Sequence, residues 1–260
     1  MQVLITGASS GLGADFARDL ANRGYDLILV ARSKDKLLEL KKELKTKVEI
    51  EAMDLSVIEN VYKLYNKYEG KIGLLINNAG FGLFGEFSDT DLDAELNMIN
   101  LNINAVHILT KLFLQDFVKR DYGRILNVSS IAAFEPGPLM ATYYATKAYV
   151  YSLTAAIYEE LRKKKSSVRI SVLCPGPTKT RFNERANVKF TLRALRSEYV
   201  VKYAIDKMFK NKLIIIPSFR MRASVFFNRI LSRKFMLKIV YRLQKLKDSQ
   251  NIKKDKNEDK

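Results

Sequence analysis

Three glycines near the start of the chain have the spacing and position of a phosphate-binding turn. Gly7, Gly11 and Gly13 follow directly after an apolar run at residues 3–5. A turn between a strand and a helix lets the backbone approach a ligand closely, and the free N–H groups and positive end of the helix favour a bound phosphate. The G-x-x-x-G-x-G spacing differs from the usual dinucleotide fingerprint, so the glycines alone also fit a plain tight turn. Their position after the first strand favours the phosphate site.

The residues after the second apolar run indicate which phosphate compound would bind. An acidic side chain there would accept a hydrogen bond from the ribose 2′-hydroxyl of NAD, whereas an arginine accommodates the 2′-phosphate of NADP. Arg32 holds this position, Ser33 and Lys34 follow it, and no Asp or Glu lies between residues 27 and 34. The sequence therefore favours NADP(H) over NAD(H). The alternative interpretation is an ordinary solvated start of a basic helix.

The elements that must position these residues alternate between short apolar runs and longer segments with helical spacing. The runs are rich in Val, Ile and Leu, which is typical of buried strands; they are residues 3–6, 26–31, 48–53, 74–77, 124–128, 169–173 and 213–216. Between them, apolar residues recur at helical spacing, as in Leu92, Leu96 and Ile99. This alternation requires crossover connections. We therefore predict an α/β fold with a mostly parallel sheet, helices on both faces and a ligand crevice at the carboxyl ends of the strands.

Composition excludes several other classes of protein. The chain has 260 residues, 47% of them hydrophobic, and a formal net charge of +17, and a length of this order fits one compact core. Cys174 is the only cysteine and His107 the only histidine, so neither a disulfide framework nor a metal site is predicted. No apolar run reaches the roughly 18 residues that a membrane span needs, and the first residues do not predict a secretory leader. We expect a cytoplasmic protein.

Five short motifs occur together along the chain. They are T-G-A-S-S-G-L-G at residues 6–13, N-N-A-G at 77–80, a serine at position 130, Y-Y-A-T-K at 143–147 and P-G-P-T-K-T at 175–180. In this order and at these distances the set resembles the classical short-chain dehydrogenase/reductase family, in particular the bacterial branch that includes the DltE-like proteins. The resemblance extends over residues 1–217. It implies a Rossmann-like doubly wound fold in which this segment binds NADP and contains the catalytic site.

The resemblance also implies catalytic roles. Tyr143 would be the general acid/base that interconverts a carbonyl and an alcohol. Lys147, four residues later on the same helix face, would lower the phenol pKa from its ordinary value near 10 and hold the nicotinamide ribose. Ser130 would donate a hydrogen bond to the substrate oxygen, and Asn102 would kink a helix and help anchor a water that relays protons to the lysine. Three of these roles have neighbouring alternatives, which are Tyr144 for the acid, Ser129 for the serine, and Asn100 or Asn104 for the asparagine.

The cofactor site implied by the resemblance is assembled from several segments. Asp54 would accept a hydrogen bond from the adenine amino group, Asn78 and Gly80 would line the nicotinamide ribose, and Thr180 would hold the carboxamide. The predicted cofactor-binding residues are Gly7, Ser9, Ser10, Gly11, Leu12, Gly13, Arg32, Asp54, Asn78, Gly80, Tyr143, Lys147 and Thr180. Asp54 also fits the role of a cap for the helix that follows it.

The chain beyond residue 217 departs from the common family pattern. Residues 218–260 carry 13 Lys or Arg against four Asp or Glu. Within the extension of residues 218–247, the pattern predicts an amphipathic helix; its apolar side would hold Met236, Ile239, Val240, Leu243 and Leu246, and its basic side Lys234, Lys238, Arg242 and Lys245. The apolar stripe could pack over the substrate cleft, pack against a second subunit of a homo-oligomer, or lie on anionic lipid. Nucleic acid is the least supported partner, and residues 248–260 are polar enough to be disordered.

These features predict an NADP(H)-dependent oxidoreductase that interconverts a carbonyl compound and a primary or secondary alcohol. The alternative is a nucleotide-binding or membrane-attached scaffold of the same fold without significant turnover, and the intact Ser, Tyr and Lys set favours the enzyme. The loop of residues 181–196 would cover the substrate in this family. Its apolar members are Phe182, Phe190, Leu192 and Leu195, and together with several arginines they loosely fit an apolar substrate with an anionic end.

Overall fold

The computed structural model describes residues 2–180, 194–228 and 231–258, with side chains described up to residue 245. The strands within these residues are β1 (Gln2–Thr6), β2 (Asp26–Ala31), β3 (Val48–Ala52), β4 (Ile72–Asn77), β5 (Arg124–Val128), β6 (Arg169–Leu173), β7 (Thr178–Lys179), β8 (Leu195–Arg196) and β9 (Ile214–Ile215). The α-helices are α1 (Gly11–Asn22), α2 (Lys34–Glu43), α3 (Ile58–Tyr68), α4 (Leu92–Ile99), α5 (Val106–Arg120), α6 (Ala141–Lys163), α7 (Ser197–Phe209), α8 (Phe219–Asn228) and α9 (Arg233–Glu258). A π-helical segment, Asn100–Ala105, joins α4 to α5, and a 3₁₀ turn, Ile131–Phe134, follows β5.

Seven strands form one sheet in the order β3-β2-β1-β4-β5-β6-β9, and each pairing is parallel. The strand order reverses between β1 and β4, and in such sheets the ligand crevice lies outside the carboxyl ends of the strands at that point. The predicted Rossmann-like doubly wound fold is therefore confirmed. Strands β7 and β8 pair separately; they went unpredicted because two residues each are too few to show a period.

Helices cover both faces of the sheet, as the alternation of side chains along β1 demonstrates. Val3 and Ile5 pack in the layer that contains α1, α2 and α7, whereas Leu4 packs in the layer of α3, α5 and α6. All three side chains are fully buried, as alternate positions of a strand that is covered on both faces must be. Such strands read as continuous apolar runs. For that reason all seven predicted strands coincide with strands of the main sheet to within two residues.

The C-terminal helix α9 differs from its prediction in extent and orientation. It continues to Glu258, past the predicted start of a disordered tail at residue 248, and no Gly or Pro interrupts its sequence, so nothing local breaks the helix. Val240 and Gln244 are buried, whereas Leu243 is 46% exposed. Met236 and Ile239 of the predicted apolar side are half-buried, so the buried stripe keeps part of that side and is displaced toward Gln244, which bonds to the Tyr144 hydroxyl. No helix among the described residues is long and apolar enough to cross a membrane.

Candidate active site

The turn between β1 and α1 directs a helix N-terminus at a large cavity. The helix begins at Gly11 with Ser10 as its N-cap residue, and its first turn holds no acidic side chain. Ser9, Ser10, Gly11 and Leu12 line a cavity of about 560 Å³. Unpaired N–H groups and the positive end of the helix dipole therefore face the cavity, which is the arrangement that holds a phosphate.

Two of the glycines permit close backbone approach in this turn. Gly7 has a φ of +67°, and a Cβ atom on Gly13 would lie 2.1 Å from the carbonyl oxygen of Gly7. Gly13 therefore packs the helix onto the turn. The Asn78 side-chain amide donates to the carbonyl oxygens of Thr6 at 3.0 Å and Gly7 at 3.2 Å. Asn78 lines the cavity, and it also fixes the turn, a role that the sequence did not reveal.

Arg32 and Asp54 lie together on the cavity wall beyond β2 and β3. The Arg32 Nη1 atom is 3.6 Å from the Asp54 Oδ2 atom, and the arginine side chain is 60% exposed. The other Asp54 oxygen accepts from the backbone N–H and hydroxyl of Ser56 at 2.9 and 2.8 Å. Burial opposes ionisation, but these hydrogen bonds and Arg32 together hold the pKa of Asp54 below its ordinary value. Asp54 closes a turn and does not cap α3, whose N-cap residue is Val57.

Ser130, Tyr143 and Lys147 meet at another wall of the same cavity. Ser130 follows β5, and the other two lie one turn apart on α6. The Ser130 hydroxyl is hydrogen-bonded to the Tyr143 hydroxyl. The Lys147 Nζ atom lies 5.8 Å from the centre of the Tyr143 ring and donates to the Val128 carbonyl oxygen at 3.2 Å. The hydroxyls of Ser130 and Tyr143 and the buried ammonium group of Lys147 therefore lie together at one part of the cavity.

The neighbouring alternatives have other partners. The Ser129 hydroxyl donates to the backbone carbonyl of Lys147 at 2.7 Å, so it ties α6 to the end of β5. The Tyr144 hydroxyl accepts from the Gln244 side-chain amide of α9 at 2.7 Å. Tyr144 nevertheless lines the same cavity, with its ring centre 6.0 Å from that of Tyr143. The geometry thus favours Ser130 over Ser129 as the hydrogen-bonding serine and Tyr143 over Tyr144 as the acid/base. Tyr144 instead contacts the last helix.

Burial dominates the ionisation of this cluster, and the influence of Lys147 on the pKa of Tyr143 stays a prediction. Burial raises the pKa of Tyr143 to about 12, and the hydrogen bond from Ser130 only partly offsets it. Burial likewise lowers the pKa of Lys147 to about 8. Loss of solvent outweighs the proximity of the two groups. At neutral pH the phenol is protonated and able to donate.

Asn102 lies in the π-helical segment that joins α4 to α5, and π-helical turns are one cause of helix kinks. Its amide nitrogen donates to the Phe81 carbonyl at 2.9 Å and to the Thr146 hydroxyl at 3.1 Å, and its oxygen accepts from the Phe81 N–H at 3.1 Å. A Cβ atom on Gly80 would lie 2.9 Å from the Asn102 oxygen and 3.3 Å from the Lys147 Nζ atom. Asn102 therefore holds the segment after β4 against the lysine.

The two other candidate asparagines bond to each other. The Asn104 amide donates to the Asn100 side-chain oxygen at 2.8 Å. Asn102 is fully buried, and its side chain bonds to the segment after β4. This supports the predicted choice of Asn102.

Thr180 lines the cavity next to the glycine turn. A Cβ atom on Gly11 would lie 3.1 Å from the Thr180 Cβ atom, so this threonine approaches the start of α1. Most of the predicted substrate loop, including Phe182, Phe190 and Leu192, lies outside the described residues. Leu195 is described and lies in β8.

The sequence did not establish which residues close the cavity at its far end. Val240, Leu243 and Gln244 of α9 line it there, along with Glu135 and Met140. The amphipathic pattern of α9 was the available signal, and it left packing over the cleft as one of several interpretations. Among the described residues no group of three or more side chains could hold a metal ion.

Comparisons with known proteins agree with this geometry. The sequence model of the family described as short chain dehydrogenase matches residues 1–189. The very-long-chain 3-oxoacyl-CoA reductase of Macaca fascicularis is 37% identical over 170 residues, which is 62% of this chain and 54% of that protein. The chain thus spans about half the length of the curated relative it matches.

Solved structures extend the likeness. A short-chain dehydrogenase from Sphingobium yanoikuyae in complex with NADPH has a TM-score of 0.79 at 33% identity, covering 84% of this chain and 88% of that one. A short-chain dehydrogenase/reductase from Burkholderia phymatum in complex with NAD has a TM-score of 0.79 at 24% identity, covering 86% and 91%, and shares the fold. Since the family model matches most of the chain, the protein belongs to the short-chain dehydrogenase/reductase family of oxidoreductases.

Proposed function

We propose that this protein interconverts a carbonyl compound and an alcohol with NADP(H), and that Tyr143 gives and takes the proton. The observation that carries the proposal is the single cavity that joins the glycine turn to the buried Ser130, Tyr143 and Lys147 cluster. A scaffold that only bound a nucleotide would need the turn but would place no demand on the serine or the tyrosine.

The residues present fit NADP(H). A Cβ atom on Gly7 or Gly13 would collide with neighbouring backbone, so these glycines let the turn fold tightly, and the start of α1 that lines the cavity suits a phosphate. The exposed guanidinium of Arg32 suits a 2′-phosphate, to which arginine makes charge-assisted bonds. When bound, the reduced cofactor supplies a hydride to the carbonyl carbon. The positions of Asn78, Gly80 and Thr180 on the cavity wall support their predicted roles toward the nicotinamide end.

The protein's own groups act on the substrate oxygen. As negative charge develops there, Ser130 stabilises it with a hydrogen bond and the Tyr143 hydroxyl delivers its proton. In the reverse direction the phenolate accepts the proton of the alcohol. The Lys147 ammonium, which is buried beside the tyrosine ring, stabilises that phenolate. Asn102 is a positioning residue, because it holds the segment after β4 against Lys147.

The substrate end of the cavity is largely apolar. Its wall includes Ile131, Ala132, Met140, Val240 and Leu243, and such surfaces bind apolar ligands through burial of area. We therefore propose that the carbonyl compound has a substantial apolar part.

The proposal is tested by a screen of aldehydes, ketones and hydroxysteroids with NADPH and NADH, followed at the nicotinamide absorbance. We expect turnover of at least one apolar carbonyl compound with NADPH. The proposal requires that Tyr143→Phe abolishes this turnover while nucleotide binding, measured by calorimetry, persists. Tight NADPH binding without turnover across the screen would instead support the scaffold.

A further inference from the structure

The helices α8 and α9 present a surface that the proposed chemistry does not use. Residues 219–245 hold eight Lys or Arg and no Asp or Glu. Large apolar side chains on the same segment are 37 to 77% exposed, and they are Phe219, Phe226, Phe227, Leu231, Phe235, Tyr241 and Leu243. We call the exposed side chains of residues 219–228 and 231–245 the C-terminal surface.

Each helix is fixed to the protein by its opposite side. In α8, Val225 is buried, and Asn228 donates to the Glu135 carboxylate at 2.7 Å. In α9, Val240 is buried, and Gln244 bonds to the Tyr144 hydroxyl at 2.7 Å. The exposed aromatic rings are therefore not needed to hold the helices in place, and folding does not account for them.

Cations and aromatic rings alternate closely on this surface. The Arg222 guanidinium lies 5.8 Å from the centre of the Phe219 ring, and the Lys245 ammonium lies 5.9 Å from that of Tyr241. The rings of Phe226 and Phe227 lie 5.8 Å apart. Rings and aliphatic side chains that enter the headgroup boundary, beside basic groups that meet lipid phosphates, are the pattern of helices lying in a membrane interface.

We propose that the C-terminal surface docks on a bilayer that contains anionic phospholipid. Charge complementarity favours this occupant over a second copy of the chain, because an isologous contact would bring two basic surfaces without any carboxylate of their own together. The exposed Leu231 and Leu243 side chains also favour lipid over single-stranded nucleic acid, which uses aromatic rings for stacking.

Docking would place the active-site cavity beside the membrane. Leu243 is partly exposed and also lines the cavity, so α9 forms the rim between the two. An apolar carbonyl compound dissolved in the bilayer would then reach the site without crossing water. This consequence rests on the proposed function, whereas docking itself does not.

Vesicle flotation with the full chain tests the docking. We expect the protein to float with phosphatidylcholine vesicles that contain phosphatidylglycerol, to stay behind with phosphatidylcholine alone, and to be released as salt rises. Phe226→Ser with Phe227→Ser, and separately Lys234→Glu with Lys238→Glu, should each weaken binding roughly tenfold or more. Failure of the unmodified protein to float at low salt would overturn the proposal, as would binding that neither variant pair changes.

Matched variants control for exposure and charge elsewhere. Phe87 is 70% exposed, and Lys41 and Lys42 are exposed at the end of α2; Phe87→Ser and the Lys41→Glu, Lys42→Glu pair should leave flotation unchanged. Turnover of a water-soluble ketone, measured without lipid, should be the same in all these variants.

Loss of flotation with intact turnover supports docking, and flotation without any turnover would disprove the proposed function alone. A dimer that depends on Phe226 and Phe227 in the absence of vesicles would assign the surface to a second copy and overturn lipid docking.

Discussion

The carboxyl edge of the sheet and the C-terminal helix α9 line the same cavity but are built differently. At the sheet edge, Ser130, Tyr143 and Lys147 are held by β5 and by a 23-residue helix that packs on the central core. Along α8 and the described side chains of α9, only Val225, Val240 and Gln244 are buried. The chemical end of the cavity therefore depends on the core of the fold, whereas the far end depends on a few peripheral contacts that can change without disturbing that core.

Removal of the Tyr143 hydroxyl should have the largest effect. Tyr143→Phe keeps the ring but removes the proton donor, so we expect turnover to fall by about 10² to 10⁴ while NADPH binding persists. The measurement is kcat with a confirmed substrate beside calorimetric nucleotide affinity. Tyr144→Phe, one residue away on the same cavity, is the control and should retain most of its kcat. Near-normal turnover by Tyr143→Phe would show that the chemistry is not at the sheet edge.

Charge reversal at Arg32 should alter cofactor choice. The contact of an arginine with a phosphate contributes about 1.5 to 3 kcal/mol, or roughly ten- to a hundredfold in affinity. Arg32→Asp should weaken NADPH relative to NADH by that factor, as read from the ratio of their Kd values. Lys34→Asp makes the same charge change two residues away and should leave the ratio nearly unaltered. Equal affinities for both nucleotides in the unmodified protein would contradict the assignment.

The buried ammonium of Lys147 should make stability depend on pH. Burial lowers its pKa from 10.5 to about 8, so below pH 8 the folded protein carries a desolvated charge. Between about pH 8 and pH 10.5 the unfolded chain binds more protons, and stability relative to Lys147→Met should rise by about 2 to 3 kcal/mol.

Urea unfolding of both proteins at several pH values measures this difference. Groups that titrate alike in both proteins cancel in the comparison. Gln115→Met, at an exposed position of α5, removes no titratable group and should show a difference from the unmodified protein that does not change with pH. A constant difference for Lys147→Met as well would mean that this lysine is solvated.

The smallest expected effect lies at the far end of the cavity. Gln244→Leu removes the hydrogen bond to Tyr144, and one such bond contributes about 0.5 to 1.5 kcal/mol, or roughly two- to tenfold in binding. We expect KM for an apolar substrate to change by that factor with kcat preserved. Gln115→Leu, at an exposed site on α5, is the matched control. If Gln244→Leu lowered kcat as much as Tyr143→Phe, the far end of the cavity would take part in the chemical step, and the proposed difference between the two ends would be wrong.

The fold was predictable because its sheet is buried on both faces. Seven apolar runs of strand length predicted strands buried on both faces, as in a parallel sheet covered by helices. Each run corresponds to one strand of the seven-stranded sheet. Most residues of the candidate site could be picked out because polar residues and glycines follow directly after those strands and line the cavity. The roles that the resemblance to a known family implies for them stay predictions. The short strands β7 and β8 were not predicted, since each pairs only with a segment that is distant in sequence.

The sequence by itself determined the parallel sheet, the glycine turn after β1 and the spacing of Tyr143 and Lys147 on one helix face, since local patterns and strand ends encode them. Only the tertiary structure decided that Tyr143 has a raised pKa, because burial is a property of the assembled cavity. It also decided that Gln244 turns inward, since its partner Tyr144 lies 100 residues earlier in the chain. Periodicity fixes which residues share a helix face, but the direction of that face is set by what the rest of the molecule presents to it.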